Sequence, residues 1–521
     1  MTTTADLCDR ATPATEPARD PAADYGVLRW LVLATFVVIL NETIMVNAIP
    51  RLMGELDVTA RSAQWLSTAF MLTMAVVIPV TGWFLQRVST RRAFATAMGV
   101  FCAGTLLAAV APAFPVLLAA RVVQAGGTAV MMPLLMTTLM TVVPERDRGR
   151  VMGNVTLAMS VAPALGPAVS GVVLQWLSWR WLFGLVLPVA VVVSVLGLRR
   201  LTGQGSRAAG SVDWPSVALS ALGFGGFVYG LSRFGAGHGS PVPPYAVVGL
   251  GLLAVGLFVR RQLVLQRTGS PLLDLRTLLH PTYTVSLGLM AVAFMAMLGS
   301  MILLPLYLQQ VRGLDALQTG LLVMPGGLVM GLLGPGVGRW FDRYGSRPLV
   351  VPGAVGIVAA LGTLTTVDRG TSVWLVLAAH VLLMVSLAAV FTPVFTVGLG
   401  ALPAHLYSHG SSLLGALQQV AAAVGTAAVV AVMSWRSADQ VRGGTDPVDA
   451  LVGGMRWAFA VGALLSLVVL VLAFRLPGRA GVSFTSAEAC AAPHPGRRRC
   501  RRSAHATPAG LASARDTSSR R

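Results

Sequence analysis

The sequence predicts an all-α polytopic membrane protein of fourteen transmembrane helices. Three observations predict it: the overall hydropathy, the length of the apolar runs, and the near exclusion of acidic residues from those runs. Of 521 residues, 55% are hydrophobic and 11% charged, with a mean hydropathy of +0.73, far from the balance of a soluble domain. About 20 apolar residues cross a hydrocarbon layer of about 30 Å as a helix. Few stretches alternate with period two, which sets a β-barrel aside, and lipid leaves helices as the way to satisfy the backbone.

The runs fall near residues 28–50, 63–86, 93–112, 115–143, 150–174, 180–201, 214–234, 244–266, 283–311, 316–340, 348–367, 372–398, 410–434 and 455–476. They group as six plus two plus six. The expected division is a polar N-terminus over 1–27, a six-helix bundle over 28–201, and a linker with two extra spans over 202–282. A second six-helix bundle over 283–476 and an Arg-rich tail over 477–521, both ends disordered by composition, complete it. The first apolar run is too long for a signal-peptide core and reads as an uncleaved anchor.

All 39 basic residues are Arg, and their placement orients the chain. With the N-terminus inside, 29 lie in cytoplasmic segments, 9 outside, and Arg121 within a span; without the ten from Arg475 onward the balance is still 19 to 9. Both termini are therefore expected in the cytoplasm, and the cell membrane, a bacterial inner membrane, is the expected location. In this setting the net charge of +19 does not imply nucleic acid. Cys8, Cys490 and Cys500 fall in the tails and Cys102 in a span, without metal-ligand spacing. No P-loop pattern is present, so no cofactor is expected, and with no second intramembrane carboxylate or nucleophile–base pair no enzyme either.

Of the twenty acidic residues, nineteen lie in tails, loops or span ends; Glu42, in "LNETIMVNAIP" (residues 40–50), alone lies inside. A charge at mid-membrane costs about 2.5–3.5 kcal/mol even on the lenient scale, so such a residue usually faces a cavity. Glu42 lies eight residues, roughly 12 Å, below the outer end of the first run, and Arg121 six residues, roughly 9 Å, below the same face. Desolvation and an Arg neighbour act in opposite senses on a carboxyl, and a balance between them makes a proton switch. A permanent Glu–Arg pair joining two helices is the other reading.

An internal repeat marks the ends of two spans: "GWFLQRVSTRR" at 82–92 and "GRWFDRYGSR" at 338–347. In the first copy Gly82, Arg87, Arg91 and Arg92 stand out, with Gln86 where the second has Asp342; the second carries Gly338, Asp342, Arg343, Gly345 and Arg347. An Asp at a helix boundary pairs with Arg or with helix-end amides in contacts that break as two halves rock. "RVVQAGGTAVMMP" follows Arg121 and contains Gln124. "APALGPAVSG" places Pro163, Gly166, Pro167 and Gly171 in the fifth run, where the glycines permit close packing and the prolines interrupt backbone bonding.

Over residues 28–476 these motifs, in this order, resemble the fourteen-span drug:proton antiporters of the major facilitator superfamily, with "WRWLF" at 179–183 adding to the likeness. The resemblance implies that Glu42, Arg121, Gln124 and Asn41 belong to the proton-coupling region. Asn41 stands where that family has Asp, and Glu42 follows one residue later. It further implies that the 82–92 and 338–347 segments form the cytoplasmic gating motif and that the fifth span is the antiporter helix. The expected function is export of lipophilic, cationic small molecules in exchange for protons by alternating access, by a monomer whose partners are substrate, protons and the bilayer. A dedicated exporter of one metabolite or antibiotic, or a ligand sensor that moves nothing, remain alternatives. The methionines Met71, Met74, Met131, Met132, Met136, Met290, Met295, Met297 and Met301 read as helix packing, Gln309, Gln310, Gln418 and Gln419 as interhelical bonding or substrate contacts, and His380, His405 and His409 as structural.

Overall fold

The computed structural model describes residues 21–45, 48–201, 212–233, 243–268 and 271–478. The extreme N-terminus, Asn47, the Arg-rich tail, Cys8, Cys490 and Cys500, and the side chain of Pro167, lie outside the described residues. Among the described residues there are helices and no strand, and fourteen helical segments are long and apolar enough to cross a membrane.

In chain order the helices are α1 (Pro21–Ile44), α2 (Ile49–Glu55), α3 (Ala60–Arg87), α4 (Thr90–Ala109), α5 (Phe114–Val142), α6 (Arg148–Trp176), α7 (Arg180–Arg200), α8 (Trp214–Ser220), α9 (Gly226–Ser232) and α10 (Pro244–Thr268). They continue with α11 (Pro281–Leu306), α12 (Ala316–Tyr344), α13 (Arg347–Leu364), α14 (Val373–Gly400), α15 (Tyr407–Arg442) and α16 (Pro447–Ala473). A π-helical turn, Ala221–Gly225, joins α8 and α9 into one span, and another, Tyr307–Val311, extends α11.

Local chemistry sets the ends. Thr59 accepts from the Ser62 amide to start α3, and Asp315 and Gln318 form a reciprocal capping box at α12. Gly345, at φ 85°, ends α12 in a conformation that favours glycine. Pro79, Pro133 and Pro393 sit inside continuous helices, since breaking the helix in lipid leaves more backbone unsatisfied than one proline does.

Two boundaries differ from the expected ones. The first run does not continue as one helix to residue 50: α1 stops at Ile44 and the short α2 follows, so Glu42 is two residues from the end of its helix. The break carries one polar residue, Asn47, inside a run that averaged hydropathy reads as continuous. Conversely α15 runs on to Arg442, eight residues past the expected 434, because Ser437, Asp439 and Arg442 end an apolar run without ending a helix.

Helices α1 and α3–α7 pack on one another, and α11–α16 repeat the arrangement: α3 on α5, α4 on α5 and α7, and α1 on α5, α6 and α7 correspond to α12 on α14, α13 on α14 and α16, and α11 on α14, α15 and α16. The sets meet along two equivalent seams, α6 against α12 and α14, and α15 against α3 and α5. The end of α16 lies at the α12–α13 turn, where Arg347 Nε donates to the Leu476 carbonyl at 2.6 Å and Ser346 Oγ to that of Pro477 at 2.6 Å. We call this the terminal end.

The central pair packs on itself through glycines: a Cβ on Gly251 would lie 2.5 Å from the Phe227 amide nitrogen, and one on Gly223 2.9 Å from that of Val255. Phe258, Leu272 and Leu273 then bury themselves against Val80 and Trp83 of α3 and Leu413 of α15. The pair thus lies over the α3·α15 seam.

Candidate functional site

The intramembrane polar residues converge where α4 and α5 cross. A Cβ on Gly104 would lie 2.6 Å from the Gln124 amide nitrogen, and one on Gly127 2.4 Å from the Ala97 carbonyl, so two glycines bring the backbones together. In that crossing Arg121, 1% exposed, donates from Nη1 to Gln124 Oε1 at 3.0 Å. Gln124 Nε2 donates to Thr105 Oγ1 at 3.0 Å, and Thr105 passes the chain to the Phe101 carbonyl at 2.7 Å. The Arg121 guanidinium lies over the Phe70 ring of α3, 4.2 Å from its centre. Its Nε has no partner.

Glu42, partly exposed, acts on Arg121 through space from α1. No ion pair within 4.0 Å joins them among the described residues, so the arrangement is a charged neighbourhood, not a closed salt bridge. Asn41 is fully buried with neither Nδ2 nor Oδ1 bonded. Buried polar atoms are nearly always satisfied, so Asn41 adds two unpaired polar atoms to this region. The neighbouring Thr43, whose hydroxyl bonds back to the Ile39 and Leu40 carbonyls, packs against α6, where a Cβ on Gly166 would clash with its Oγ1.

The rest of the fifth-span motif divides. Gly166 is needed for close approach, whereas Gly171 has nothing within 4 Å of where its Cβ would stand, which corrects the expectation that both permit packing. Pro163 is partly exposed, and α6 stays helical throughout.

At the terminal end the two gating-motif copies occupy the two seams. On α12, Asp342 Oδ1 accepts from the Gly149 amide at 2.8 Å and Oδ2 from the Arg150 amide at 2.7 Å, so one carboxylate caps the first turn of α6 in the opposite set. Gly338 makes this possible, since its Cβ would fall 2.1 Å from the Gly149 carbonyl oxygen. On α3, Gln86 Nε2 instead donates to the His405 carbonyl at 2.9 Å. A Cβ on Gly82 would lie 2.9 Å from His409 Nδ1, Thr81 and Ser412 share a hydroxyl bond at 2.7 Å, and Thr137 and Ser411 one at 2.9 Å.

The motif arginines have contacts of their own. Arg87 stacks on Trp83 with 4.5 Å to the ring centre, Arg343 lies over Tyr344 at 5.3 Å, Arg91 and Arg92 are exposed, and Arg347 holds the chain after α16. The reading of residues in isolation missed Gly149, Gly153 and Gly334. Gly149 and Gly153 on α6 face Gly338 and Gly334 on α12, a spacing of four that was visible as a small-residue pattern on both helices. With Thr156 bonded to Thr392 at 2.9 Å, these cross-set hydrogen bonds cluster in the terminal half of the bundle. Among the described residues no group of His, Cys, Asp and Glu is placed to hold a metal.

Among the described residues, fourteen candidate membrane spans, twelve in two repeated six-helix sets and two in a central pair, with a polar centre inside one set and interlocking terminal ends, define a polytopic membrane transporter fold. The chain belongs to the Major Facilitator Superfamily, whose family model matches residues 31–426. It is 38% identical to the lincomycin resistance protein LmrB of Listeria monocytogenes over 85% of this chain and 95% of that protein. It is 30% identical to a multidrug resistance protein B homolog of Mycobacterium tuberculosis over 79% and 77% of the two chains. Among solved structures it resembles the human organic anion transporter MFSD10, with a TM-score of 0.62 over 86% of this chain and 99% of that one; at 16% identity this likeness shows the fold alone.

Proposed function

We propose that the protein exports lipophilic small molecules across the cell membrane in exchange for protons, with both termini in the cytoplasm and Glu42 as the proton carrier. The observation that carries this reading is the isolated carboxylate of Glu42 beside buried Arg121, in a chain whose relatives are named for lincomycin and multidrug resistance.

In this reading the two six-helix sets rock about the polar centre. The terminal-end contacts of Asp342, Gln86, Ser411 and Ser412 then describe the carrier closed toward the cytoplasm. In that state a proton arrives from outside at the Glu42 carboxyl, weakens its attraction for Arg121, and accompanies release of the substrate. Breaking the Asp342 cap opens the cytoplasmic side, where the proton leaves and the next substrate enters. Asn41 and the free Arg121 Nε gain partners as α1 shifts against α5. The work is available, since one charge crossing 100 mV corresponds to about 2.3 kcal/mol.

Proteoliposomes carrying the purified protein under an imposed pH gradient test this, with lincomycin and the lipophilic cation ethidium as probes. Glu42→Gln is expected to abolish gradient-driven accumulation while retaining binding; gradient-driven transport at the wild-type level in that variant would remove Glu42 from the mechanism. The relatives named for lincomycin resistance favour one further reading, an exporter dedicated to a single compound. Transport of lincomycin and not of ethidium would select it.

A further inference from the structure

His380 stands in the C-terminal set where Arg121 stands in the N-terminal set. Helices α5 and α14 are repeat partners by packing, and "LLAARV" (117–122) aligns with "VLAAHV" (376–381) without a gap. Each of the two residues is the eighth of its helix, counted from Phe114 and from Val373. Each precedes by 23 positions (144 − 121 and 403 − 380) a proline, Pro144 or Pro403, that opens a short 3-10 turn, Glu145–Asp147 or Ala404–Leu406. The repeat therefore holds in register from mid-membrane to the terminal end.

The imidazole is 3% exposed. Its Nε2 lies 3.2 Å from the Val323 carbonyl oxygen of α12, so it donates there, and its Nδ1 is buried without a partner. Gly326 leaves the room for the ring, since a Cβ there would be 2.4 Å from Nε2. A neutral imidazole that donates from Nε2 carries a lone pair on Nδ1, and here that lone pair meets no donor. The charged and titratable residues of the elements packed against α14 stand toward helix ends. They are Asp315, Arg339, Asp342, Arg343 and Tyr344 on α12, Arg347 and Asp368 about α13, Tyr283 and Tyr307 about α11, Arg148 and Arg150 on α6, and Tyr407, His409, Arg436, Asp439 and Arg442 on α15.

We propose that His380 is a second proton-binding site of the transport cycle, one titratable group in each repeat. The proposal rests on the proton-coupled reading above. Helix α12 hydrogen-bonds to the opposite set at its terminal end through Asp342 and to α14 toward its other end through the Val323 carbonyl and His380, with Gly327 and Gly331 packed on α6 between them. With the terminal end closed, Nδ1 takes a proton that enters from outside, forming an imidazolium with two N–H donors, the second of which has no buried acceptor. Release of the Asp342 cap then lets α12 slide against α14 and opens the ring toward the cytoplasm, where the proton leaves, and the neutral ring is buried again when α12 reseats. Exchange of a singly charged substrate for the Glu42 proton alone moves no net charge. A second proton on His380 makes each cycle carry one positive charge inward, so the membrane potential itself drives export.

The test measures proton influx with an entrapped pH dye, together with ethidium efflux, in proteoliposomes of full-length protein under a pH gradient alone and under a potassium-set potential alone. For His380→Gln and His380→Asn the expected result is retained transport under the pH gradient, a proton-to-ethidium ratio lower by one, and loss of the response to potential. An unchanged ratio and potential response in a variant with wild-type thermal stability overturns the proposal. Histidine NMR in proteoliposomes covers the case in which both variants misfold: in a protein whose six other histidines are replaced, leaving His380 alone, the ring resonance must titrate when ethidium and a pH gradient are supplied, and a signal that stays neutral overturns it as well. Absence of proton movement in the wild type instead removes the coupled reading as a whole, a failure distinct from a coupled carrier insensitive to His380.

Discussion

The two seams between the six-helix sets are copies of one another closed by different chemistry. At α6·α12 a full carboxylate, Asp342, caps the first turn of a helix in the opposite set, and glycines on both helices let the backbones touch. At α3·α15 the same position is Gln86, which gives one neutral hydrogen bond to a carbonyl, assisted by hydroxyl pairs and by His409 against Gly82. The second seam, not the first, is overlaid by the central pair through Phe258, Leu272 and Leu273. A charge-assisted cap is roughly twice as strong as a neutral bond and is lost as a unit when it breaks. The contrast suggests a division of labour: α6·α12 is the seam that snaps open, and α3·α15 the one that slides.

The sharpest way to break that contrast is Asp342→Asn. The amide keeps one acceptor and loses both the charge and one of the two amide bonds at the start of α6. Hydrogen bonds to charged groups contribute about 1.5–3 kcal/mol, so the closed terminal end should lose about a factor of 10 or more in population. Cysteine accessibility measured from the terminal side should rise accordingly, and gradient-driven transport should fall at least as far. An unchanged accessibility would mean that the glycine contacts alone hold this seam.

Gln86→Asp probes the other seam and should have a smaller effect of the opposite sign to what the repeat suggests. Restoring the acid of the fuller motif copy removes a donor: the Asp carboxylate would face the His405 carbonyl, two acceptors without a proton between them. The loss of one neutral bond, about 1 kcal/mol, should weaken closure roughly fivefold. If the variant instead closes more tightly, a helix-end amide of α15 has been captured as Asp342 captures those of α6, and the two seams are chemically interchangeable.

Much of this was legible in the sequence, for reasons that also mark where legibility stops. Span number, the repeated loop and the lone acid Glu42 follow from the cost of polar atoms in lipid, which composition records directly. The partner of Asp342 was hidden because it is a pair of backbone amides, a group every residue carries. The stop at Ile44 was hidden because Met45 and Ala48 are as apolar as the helix before them. Gly166 and Gly171 look alike in sequence, yet only the first faces a neighbour, Thr43, because a difference of five positions turns the helix through most of one and a half turns. Pairings between α3 and α15, more than 300 positions apart, such as Thr81 with Ser412, are set by packing that local sequence does not encode.

The smallest effect belongs to the clamp that holds the central pair together. Asp213 caps α8, accepts from Ser216, and takes two bonds from Arg261 of α10 at 2.7 Å each. Beside it Gln262 donates to Ser216 Oγ at 2.8 Å and accepts from the Leu272 and Leu273 amides. The Arg261 hydrogen bonds hold the Asp213 carboxyl down at about 2, with Ser216 adding to the effect. A carboxylate depressed in the folded state contributes stability above its unfolded value of about 3.9 and loses it as pH falls through its folded value. Between pH 5 and 8 this clamp should therefore add no pH dependence, and any seen in transport must arise elsewhere. Asp213→Asn should lower thermal stability by the equivalent of about 1–2 kcal/mol, the size of a lost cap and a partly exposed ion pair, with terminal-side accessibility near wild type. A rise in accessibility as large as that of Asp342→Asn would show that the pair braces the α3·α15 seam rather than merely lying over it, and the proposed division between a snapping and a sliding seam would have to be redrawn around the central helices.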